Sequence, residues 1–139
     1  MDRLLRGFTI VELLVVIAII GILAAVILSA LNDARSEGID AKIKTELDSI
    51  AKRAAIESTG NPTYHTVCGT GGETQSTVIA GIVTSINALA SSTMVCNSEA
   101  TAFAVSAPVN AGHWCIDSTG EKGVIPSALT TGPAQTACP

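Results

Sequence analysis

The first thirty-one residues, Met1–Leu31 (MDRLLRGFTIVELLVVIAIIGILAAVILSAL), decide how the rest of the chain is organised. Two basic residues, Arg3 and Arg6, precede Gly7, and Glu12 is the only charged residue in the apolar run that follows. The nineteen residues from 13 to 31 carry no charge, which is the usual length of a bilayer span. The basic leading segment places that end in the cytoplasm and the rest of the chain outside. We therefore predict a membrane-spanning helix.

Glu12 is the unusual residue of this segment, because an acidic group at the centre of a bilayer costs about 2.5 to 3.5 kcal/mol. One interpretation is that Glu12 lies near the cytoplasmic interface and extends its carboxylate towards water. The other is that the carboxylate is kept for a partner of positive charge. Position alone favours the first interpretation, and the neighbouring residues favour the second.

Those neighbours, residues 7–25 (GFTIVELLVVIAIIGILAA), resemble the N-terminus of type IV pilins and type II secretion pseudopilins. The shared features are a short basic leader, a glycine before the cleavage point, a phenylalanine after it, a glutamate as the fifth residue of the mature chain, and then a long apolar run. The resemblance implies that a prepilin peptidase cleaves between Gly7 and Phe8 and that Phe8 is then N-methylated. It also implies that Glu12 pairs with the amine of Phe8 on a neighbouring subunit. Opposite charges attract strongly in a dry helix bundle, which supports this pairing.

Composition limits what else the chain can do. Its 139 residues leave room for one domain and its anchoring helix once a leader of residues 1–7 is removed. The remaining chain has six basic against eleven acidic side chains, and Lys122 is the only Lys or Arg after Gly60. We therefore expect no nucleic-acid binding by the single subunit. A secretory signal peptide fits less well, because the apolar run is too long and lacks a good cleavage site of small residues.

The amphipathic pattern of residues 32–58 predicts that the helix of residues 8–31 continues outside the membrane. Apolar residues fall on one face at spacings of three and four: Ile39, Ile43, Leu47, Ile50 and Ala54. On the wet side, Asp40–Lys44 and Asp48–Lys52 are predicted to form ion pairs one turn apart. Gly21 and Gly38 are positions where the helix could bend. We expect one continuous helix that ends at Ser58, where a Gly/Pro-containing turn follows.

Residues 59–139 are predicted to form a small globular head. Residues 64–75 are predicted to be a loop. Residues 76–90 have helical spacing, with Ser76 a candidate N-cap, although β-branched residues leave a strand open. Residues 101–109 and 113–119 are predicted to be strands joined by a turn, and residues 123–126 a short edge piece. The expected fold class is α+β, a long helix packed on a small antiparallel sheet, and the topology rests on the resemblance to the pilin head.

The four cysteines lie outside the membrane under this topology and are even in number, which predicts two disulfides with three possible connectivities. We favour Cys68–Cys96, which would clamp the second helix, and Cys115–Cys138, which would tie the tail to a strand. The second pair is similar to the C-terminal disulfide loop of pilins, although its loop is longer than is typical for the family.

Two metal sites are also conceivable, and the first of them competes with the disulfides for cysteines. Two histidines, together with two of the cysteines, could form a tetrahedral zinc set: His65, Cys68, His113 and Cys115. Using them would leave two cysteines unpaired, so disulfides are favoured. The resemblance also suggests a calcium site like that in the C-terminal loop of major pseudopilins, from Asp117, Ser118 and Glu121, but two carboxylates make a weak site. We expect no cofactor.

The resemblance implies a structural subunit, a pilin, of a type IV pilus-like filament. We expect no enzyme, because the sequence contains no nucleophile elbow and no carboxylate pair framed by a pocket signature. The resemblance implies these partners: copies of the same chain, a prepilin peptidase, the pilus assembly platform, minor pilins and, before assembly, the cytoplasmic membrane. The final location would be an extracellular pilus. The alternatives are a major pseudopilin of a type II secretion or DNA-uptake system, and a single-pass membrane protein with an outer binding domain.

Overall fold

The fold is known here from a computed structural model, which describes residues 7–91, 93–132 and 135–139. Within these ranges the elements, in chain order, are α1 (Ile10–Ser58), α2 (His65–Cys68), α3 (Thr77–Leu89), β1 (Val95–Ser98), β2 (Phe103–Val109), β3 (Gly112–Asp117) and β4 (Lys122–Ile125). The predicted α+β class, with a long N-terminal helix and a small antiparallel sheet, is confirmed. Residues 1–6 of the predicted leader lie outside the described ranges.

Helix α1 is longer than a bilayer span requires, because it has forty-nine residues. It continues through Gly21 and Gly38, so neither glycine ends it. It stops at Ser58, where the predicted Gly/Pro-containing turn follows. It begins at Ile10 and not at Phe8, because Thr9 occupies the N-cap position, as described below.

The chain divides into two compact units, Met1–Ser36 and Glu37–Pro139. In the described part of the first unit, residues 7–35 are all exposed. The second unit has the hydrophobic core. Because the boundary falls inside α1, one helix contributes to two units with different surroundings.

The core of the second unit forms between one face of α1, helix α3 and one face of the sheet. The α1 residues that are buried there are those predicted from spacing: Ile43, Leu47, Ile50 and Ala54. Ile39 is partly buried against the same core, which also contains Ile79 and Ile86 of α3 and Phe103 of β2. Burying an aliphatic side chain contributes about 1.5–3 kcal/mol, so this face holds the second half of α1 on the head.

The predicted ion pair Asp40–Lys44 is wrong. The Asp40 carboxylate accepts hydrogen bonds from the backbone N–H of Asn110, at 2.9 Å and 3.2 Å. The ammonium of Lys44 lies over the ring of Trp114, 4.9 Å from its centre. Each charge therefore contacts the sheet, because a partner across the domain fixes the side chain better than an exposed neighbour on the same helix.

The predicted ion pair Asp48–Lys52 is wrong for the same reason. Asp48 pairs with Lys122 at the start of β4, at 3.2 Å. Lys52 is left exposed on α1. The ion pair that α1 does form one turn apart is Arg53–Glu57, at 2.7 Å.

Helix α3 confirms the helical interpretation of residues 76–90. Ser76 occupies the N-cap position, but its side chain makes no capping hydrogen bond. Its hydroxyl donates instead to Glu57 at the end of α1. The predicted cap is therefore wrong, and Ser76 joins the two helices. The predicted loop of residues 64–75 contains the short helix α2, which the sequence analysis did not identify.

The sheet is an antiparallel meander of order β1-β2-β3-β4. The β2–β3 hairpin has its turn at Asn110 and Ala111, as predicted, and β4 overlaps the predicted edge piece. Strand β1 was not predicted, because Val95–Ser98 (VCNS) is short and lacks apolar alternation.

Apolar and polar residues alternate imperfectly along the sequence of β2 because both faces of this strand are covered. Phe103, Val105 and Ala107 belong to the core with α1 and α3. Ala104, on the opposite face, packs in a second cluster with Leu129 of the C-terminal tail. A strand buried on both faces loses the apolar–polar alternation of a half-exposed one.

Asn97 of β1 holds the C-terminal tail over this second face. Its Nδ2 donates to the carbonyls of Thr130 and Gln135, at 2.8 Å and 2.9 Å. Its Oδ1 accepts from the N–H of Gly132 at 3.1 Å. Asn97 is 3% exposed, so one buried amide satisfies three backbone groups of the tail.

Two disulfides cross-link the second unit, and they have the pairing favoured from the sequence. Cys68–Cys96 joins the end of α2 to β1, and Cys115–Cys138 joins β3 to the tail. They close loops with sequence separations of 28 and 23 residues, for which the chain-entropy model gives about 3 to 4 kcal/mol each.

Candidate processing and assembly site

The predicted cleavage point lies in an accessible segment of the chain. Residues 7–9 have no regular secondary structure and are exposed, and the Phe8 side chain is 79% exposed. Helix α1 begins immediately afterwards, at Ile10. Proteolysis favours exposed backbone outside helices, so the Gly7–Phe8 bond is well placed for a peptidase.

Glu12 forms a reciprocal capping box with Thr9. Its Oε2 accepts from the Thr9 N–H at 2.9 Å and from the Thr9 hydroxyl at 2.8 Å. The Glu12 N–H is 3.3 Å from the Thr9 Oγ1, which accepts from it. This is the Thr-x-x-Glu arrangement that satisfies two unpaired donors at a helix start. The carboxylate therefore already has hydrogen-bond donors within its own chain.

The first part of α1 exposes a continuous apolar surface. An 18-residue window of this helix is long and apolar enough to cross a membrane, and none of it is buried inside the chain. Its large side chains are mostly 45–70% exposed, from Val11 to Leu31. A monomeric soluble protein rarely exposes an apolar surface of this size, so it requires lipid or another protein as a cover.

Residues 4–28 match the family model described as the prokaryotic N-terminal methylation motif. The chain carries a class III prepilin leader. The match includes Gly7, Phe8 and Glu12 and is consistent with the type IV pilin and pseudopilin family. Comparisons with curated proteins and with solved structures found no match. The methylation motif is therefore the finding on which the family relationship depends.

The candidate calcium ligands do not form an open site. Both carboxylate oxygens of Asp117 are occupied: Oδ1 accepts from Thr119 Oγ1 at 2.6 Å, Thr119 N at 2.9 Å and Glu121 N at 3.2 Å, and Oδ2 accepts from Cys138 N at 2.9 Å. In the described part of the chain no group of three or more His, Cys, Asp or Glu could hold a metal ion. Asp117 therefore acts as a clamp on the β3–β4 turn and on the tail.

This clamp changes the acidity of Asp117. Its burial opposes ionisation, but the hydrogen bonds from Thr119, Cys138 and Glu121 outweigh that effect, so the pKa of Asp117 lies below its ordinary value. The ionised form is therefore the one that the fold stabilises.

The alternative zinc set is not available. Cys68 and Cys115 are both in disulfides, and no cysteine of the chain is free. The Nδ1 of His65 instead lies 3.0 Å from the Thr70 hydroxyl, which donates to the Ser98 carbonyl at 2.8 Å. This cluster joins α2 and its following loop to β1.

Two of the concave regions in the second unit are lined entirely by described residues. A cavity of about 380 Å³ lies between α2 and β1 and is lined by His65, Thr70, Ser98 and Glu99, among others. A groove of about 340 Å³ lies between α1 and the β3–β4 turn and includes Lys52 and Tyr64. In the first of these, the Thr70 hydroxyl lies beside His65 but donates its hydrogen to the Ser98 carbonyl and not to the imidazole.

Two residues of structural importance were missed from the sequence. Thr9 carries a readable signal, because Thr-x-x-Glu before an apolar run is the sequence pattern of a capping box. Asn97 carries none, because its three partners lie more than thirty residues further along the chain.

Proposed function

We propose that this chain is a structural subunit of a type IV pilus-like filament. A prepilin peptidase cleaves it between Gly7 and Phe8, and the new amine of Phe8 is N-methylated. The observation that carries the proposal is the match of residues 4–28 to the methylation motif, and the exposed apolar helix that follows supports it. The chain would act by packing with its copies and not by catalysis.

The capping box suggests how Glu12 acts during assembly. Before assembly its carboxylate is satisfied by Thr9, which lowers the cost of holding it at the edge of a bilayer. Cleavage creates an ammonium group at Phe8. Within a dry helix bundle, this charge on a neighbouring copy gives Glu12 a stronger partner than neutral donors do, because charge-assisted hydrogen bonds are about twice as strong.

The apolar surface of α1 supports membrane insertion followed by assembly. Lipid covers the exposed side chains of the first unit before assembly, and the same surface packs against the α1 helices of other copies afterwards. The exchange is physically reasonable because one apolar cover replaces another, so packing and paired charges decide the balance. The subunit would move from the cytoplasmic membrane to an extracellular filament.

The partners follow from this route. They are copies of the chain, a prepilin peptidase, an assembly platform and minor pilins. We propose no nucleic-acid partner for the single subunit, because its charge is negative. We also propose no cofactor, since the Asp117 carboxylate already accepts hydrogen bonds from Glu121 and from Cys138 of the tail.

A surface pilus is favoured over a pseudopilus by the second unit. Two disulfides and a tail held by Asn97 and Asp117 suit a protein that works outside the cell. A pseudopilus is the alternative, and it would be favoured if calcium displaced the hydrogen bonds of Asp117. The cavity beside His65 is the feature that would suit the other alternative, a membrane-anchored binding domain.

Mass spectrometry of the N-terminus of the natural protein tests the proposal. We expect filaments to contain a chain that begins at N-methylated Phe8. Assembled filaments that keep Met1, or a chain cleaved after Ala30, would contradict the proposal. Removing the carboxylate with Glu12→Ala should leave the protein in the membrane but block or slow assembly. Normal filament formation by this variant would show that Glu12 does not have the proposed role.

A further inference from the structure

The cavity of about 380 Å³ between α2 and β1 contains polar side chains that the fold does not pair. Two of the residues that line it, His65 and Glu99, are half-buried. The Glu99 carboxylate has no hydrogen-bond or ion-pair partner among the described residues, whereas its backbone N–H donates to the Ala102 carbonyl. Water or a ligand must therefore satisfy this carboxylate.

The tautomer of His65 is set by its neighbours. The Thr70 hydroxyl donates its hydrogen to the Ser98 carbonyl at 2.8 Å, so it accepts from the Nδ1 of His65, which lies 3.0 Å away. The neutral imidazole therefore has its hydrogen on Nδ1 and a lone pair on Nε2. Nε2 has no partner in the described part of the chain, and it is not one of the buried unpaired atoms there, which belong to His113 and Trp114. It is therefore an acceptor that a ligand can reach.

The His65 ring is also held on its face by Gly71. This glycine has a φ of +61°, and a Cβ at its position would lie 2.7 Å from both Nδ1 and Cε1 of the ring. Atoms that are not bonded do not approach so closely, so glycine is required for this contact. Thr70 and Gly71 together fix the imidazole before a ligand arrives, and such preorganisation lowers the cost of binding.

The charges near the cavity favour a positively charged ligand. Glu99 lines it, and Glu73 follows in the loop after α2. Lys122 is the only Lys or Arg of the chain after α1, and its ammonium pairs with Asp48. The two groups left for a ligand, the His65 Nε2 and the Glu99 carboxylate, are both acceptors. A cation that donates hydrogen bonds complements both of them.

We infer that this cavity binds an organic cation, an ammonium or guanidinium group on a short carbon stem, whose N–H groups donate to His65 Nε2 and the Glu99 carboxylate. Three wall residues without charge can contact the stem: Gly71, Cys96 and Gly132. A volume of about 380 Å³ is near the lower end of the range for ligand pockets, which suits a small ligand.

A metal ion suits the cavity less well than an organic cation. His65 and Glu99 offer two ligands, whereas a catalytic zinc site has three from the protein and a structural one has four. The described ranges contain no group of three or more His, Cys, Asp or Glu that could hold a metal ion. An ammonium or guanidinium group needs only acceptors for its N–H groups, and the cavity provides them.

An NMR titration of the full chain in detergent tests the site. The probes are n-butylammonium and n-propylguanidinium, and 1-butanol is the uncharged control of similar size. We expect saturable shifts of the signals of His65, Gly71 and Glu99 with at least one cation, in roughly the millimolar range for so small a ligand, and none with 1-butanol. End-blocked Gly-Lys-Gly and Gly-Arg-Gly peptides distinguish the sources of the cation. Peptide binding indicates a side chain of another protein, and binding of the small probes alone indicates a free metabolite.

Two variants test the assigned groups. Glu99→Gln keeps the size but removes the charge, so it should weaken binding of the cation about tenfold or more. His65→Asn keeps an N–H for Thr70 but lacks Nε2, so it should weaken binding several-fold. Glu73→Gln is the matched control, because its carboxylate binds Asn61, and it should stay within about twofold of the parent. Thermal unfolding of each variant, matched to the parent, excludes loss of the fold as the cause.

Three outcomes would overturn the inference. They are no saturable shift with either cation, equal shifts with 1-butanol, and equal affinities of Glu99→Gln and Glu73→Gln for the cation. Each would show that the carboxylate in the cavity does not select the ligand. None of them bears on the proposed function, because its processing and assembly residues belong to the first unit and the cavity to the second.

Discussion

Helix α1 presents two regions that look alike as helix and differ in their surroundings. Residues 13–31 are apolar on every side and carry no charge, and all of them are exposed. In residues 37–58 one apolar face, which includes Ile43, Leu47 and Ile50, is buried against α3 and the sheet. The second region finds its apolar cover within the chain, whereas the first requires lipid or another protein as a cover.

The difference is chemical and not conformational. Both regions satisfy their backbone hydrogen bonds within the helix, which is why the same element suits a membrane and an aqueous surface. The second region has charged side chains, and these contact the sheet through Asp40, Lys44 and Asp48. Charge therefore shows which part of the helix belongs to the folded unit and which part needs a partner outside it.

The largest expected effect is seen when a leucine of each region of α1 is replaced by alanine and the two losses of stability are compared. Leu47 is fully buried, and Leu23 is 56% exposed. Leu47→Ala should lower the free energy of unfolding of the second unit by about 2–5 kcal/mol, because it leaves a cavity in the core. Leu23→Ala should change it by less than about 0.5 kcal/mol. Chemical denaturation of the full chain in detergent, followed by the fluorescence of Trp114, measures both.

The readout is specific because Trp114 is the only tryptophan of the chain and packs against the core. Leu23→Ala should instead reduce filament yield or membrane retention. A loss of stability of the second unit on Leu23→Ala, equal to that of Leu47→Ala, would contradict the separation of the two regions.

The sequence was sufficient to predict α1 and its buried face, because the two patterns that define them are local. An uncharged run and a 3.6-residue period each depend on neighbouring residues, so the buried face from Ile43 to Ala54 was predictable. The ion pairs of α1 were not, because Asp40 and Asp48 bind Asn110 and Lys122, about seventy residues away. Distant pairing also explains why the clamp of Asn97 on the tail was missed, whereas β1 was missed because it is short and lacks apolar alternation. The methylation motif was readable because it is one contiguous stretch, residues 4–28.

The second prediction concerns the clamp that Asp117 forms on the C-terminal tail of the second unit. Asp117→Asn removes a carboxylate that accepts four hydrogen bonds, so it should destabilise the second unit by about 1–3 kcal/mol at pH 7. The folded-state pKa of Asp117 is lowered, so its stabilisation is fully present above the unfolded pKa of about 3.9. It is lost as the pH falls through the lower folded value.

Unfolding of Asp117→Asn and of the parent should therefore be measured at pH 7 and at successively lower pH. The difference between the two free energies should shrink below pH 4. Glu73→Gln is a suitable control, because the Glu73 carboxylate binds only Asn61 at the surface. A difference between parent and Asp117→Asn that stays constant down to pH 2 would show that the carboxylate is not the stabilising group.

The smallest expected effect lies at the start of the first region. Thr9→Val keeps the side-chain shape but removes the hydroxyl that bonds Glu12, so it should weaken the first turn of α1 by about 1 kcal/mol. Thr9→Ser keeps the hydroxyl and should have little effect. Hydrogen exchange at the amides of residues 10–12, in the full chain in lipid, should be several-fold faster in the valine variant alone.

The stability of the second unit should be the same in both Thr9 variants, since both residues of the capping box belong to the first unit. If exchange is unchanged in Thr9→Val, the carboxylate of Glu12 caps the helix without the hydroxyl, through the Thr9 N–H at 2.9 Å. If exchange is faster and filaments form more readily, Thr9 competes with the Phe8 amine for Glu12. In that case the capping box holds the Glu12 carboxylate until the Phe8 ammonium of another copy replaces Thr9 as its partner. The carboxylate would then gain its charged partner only on assembly.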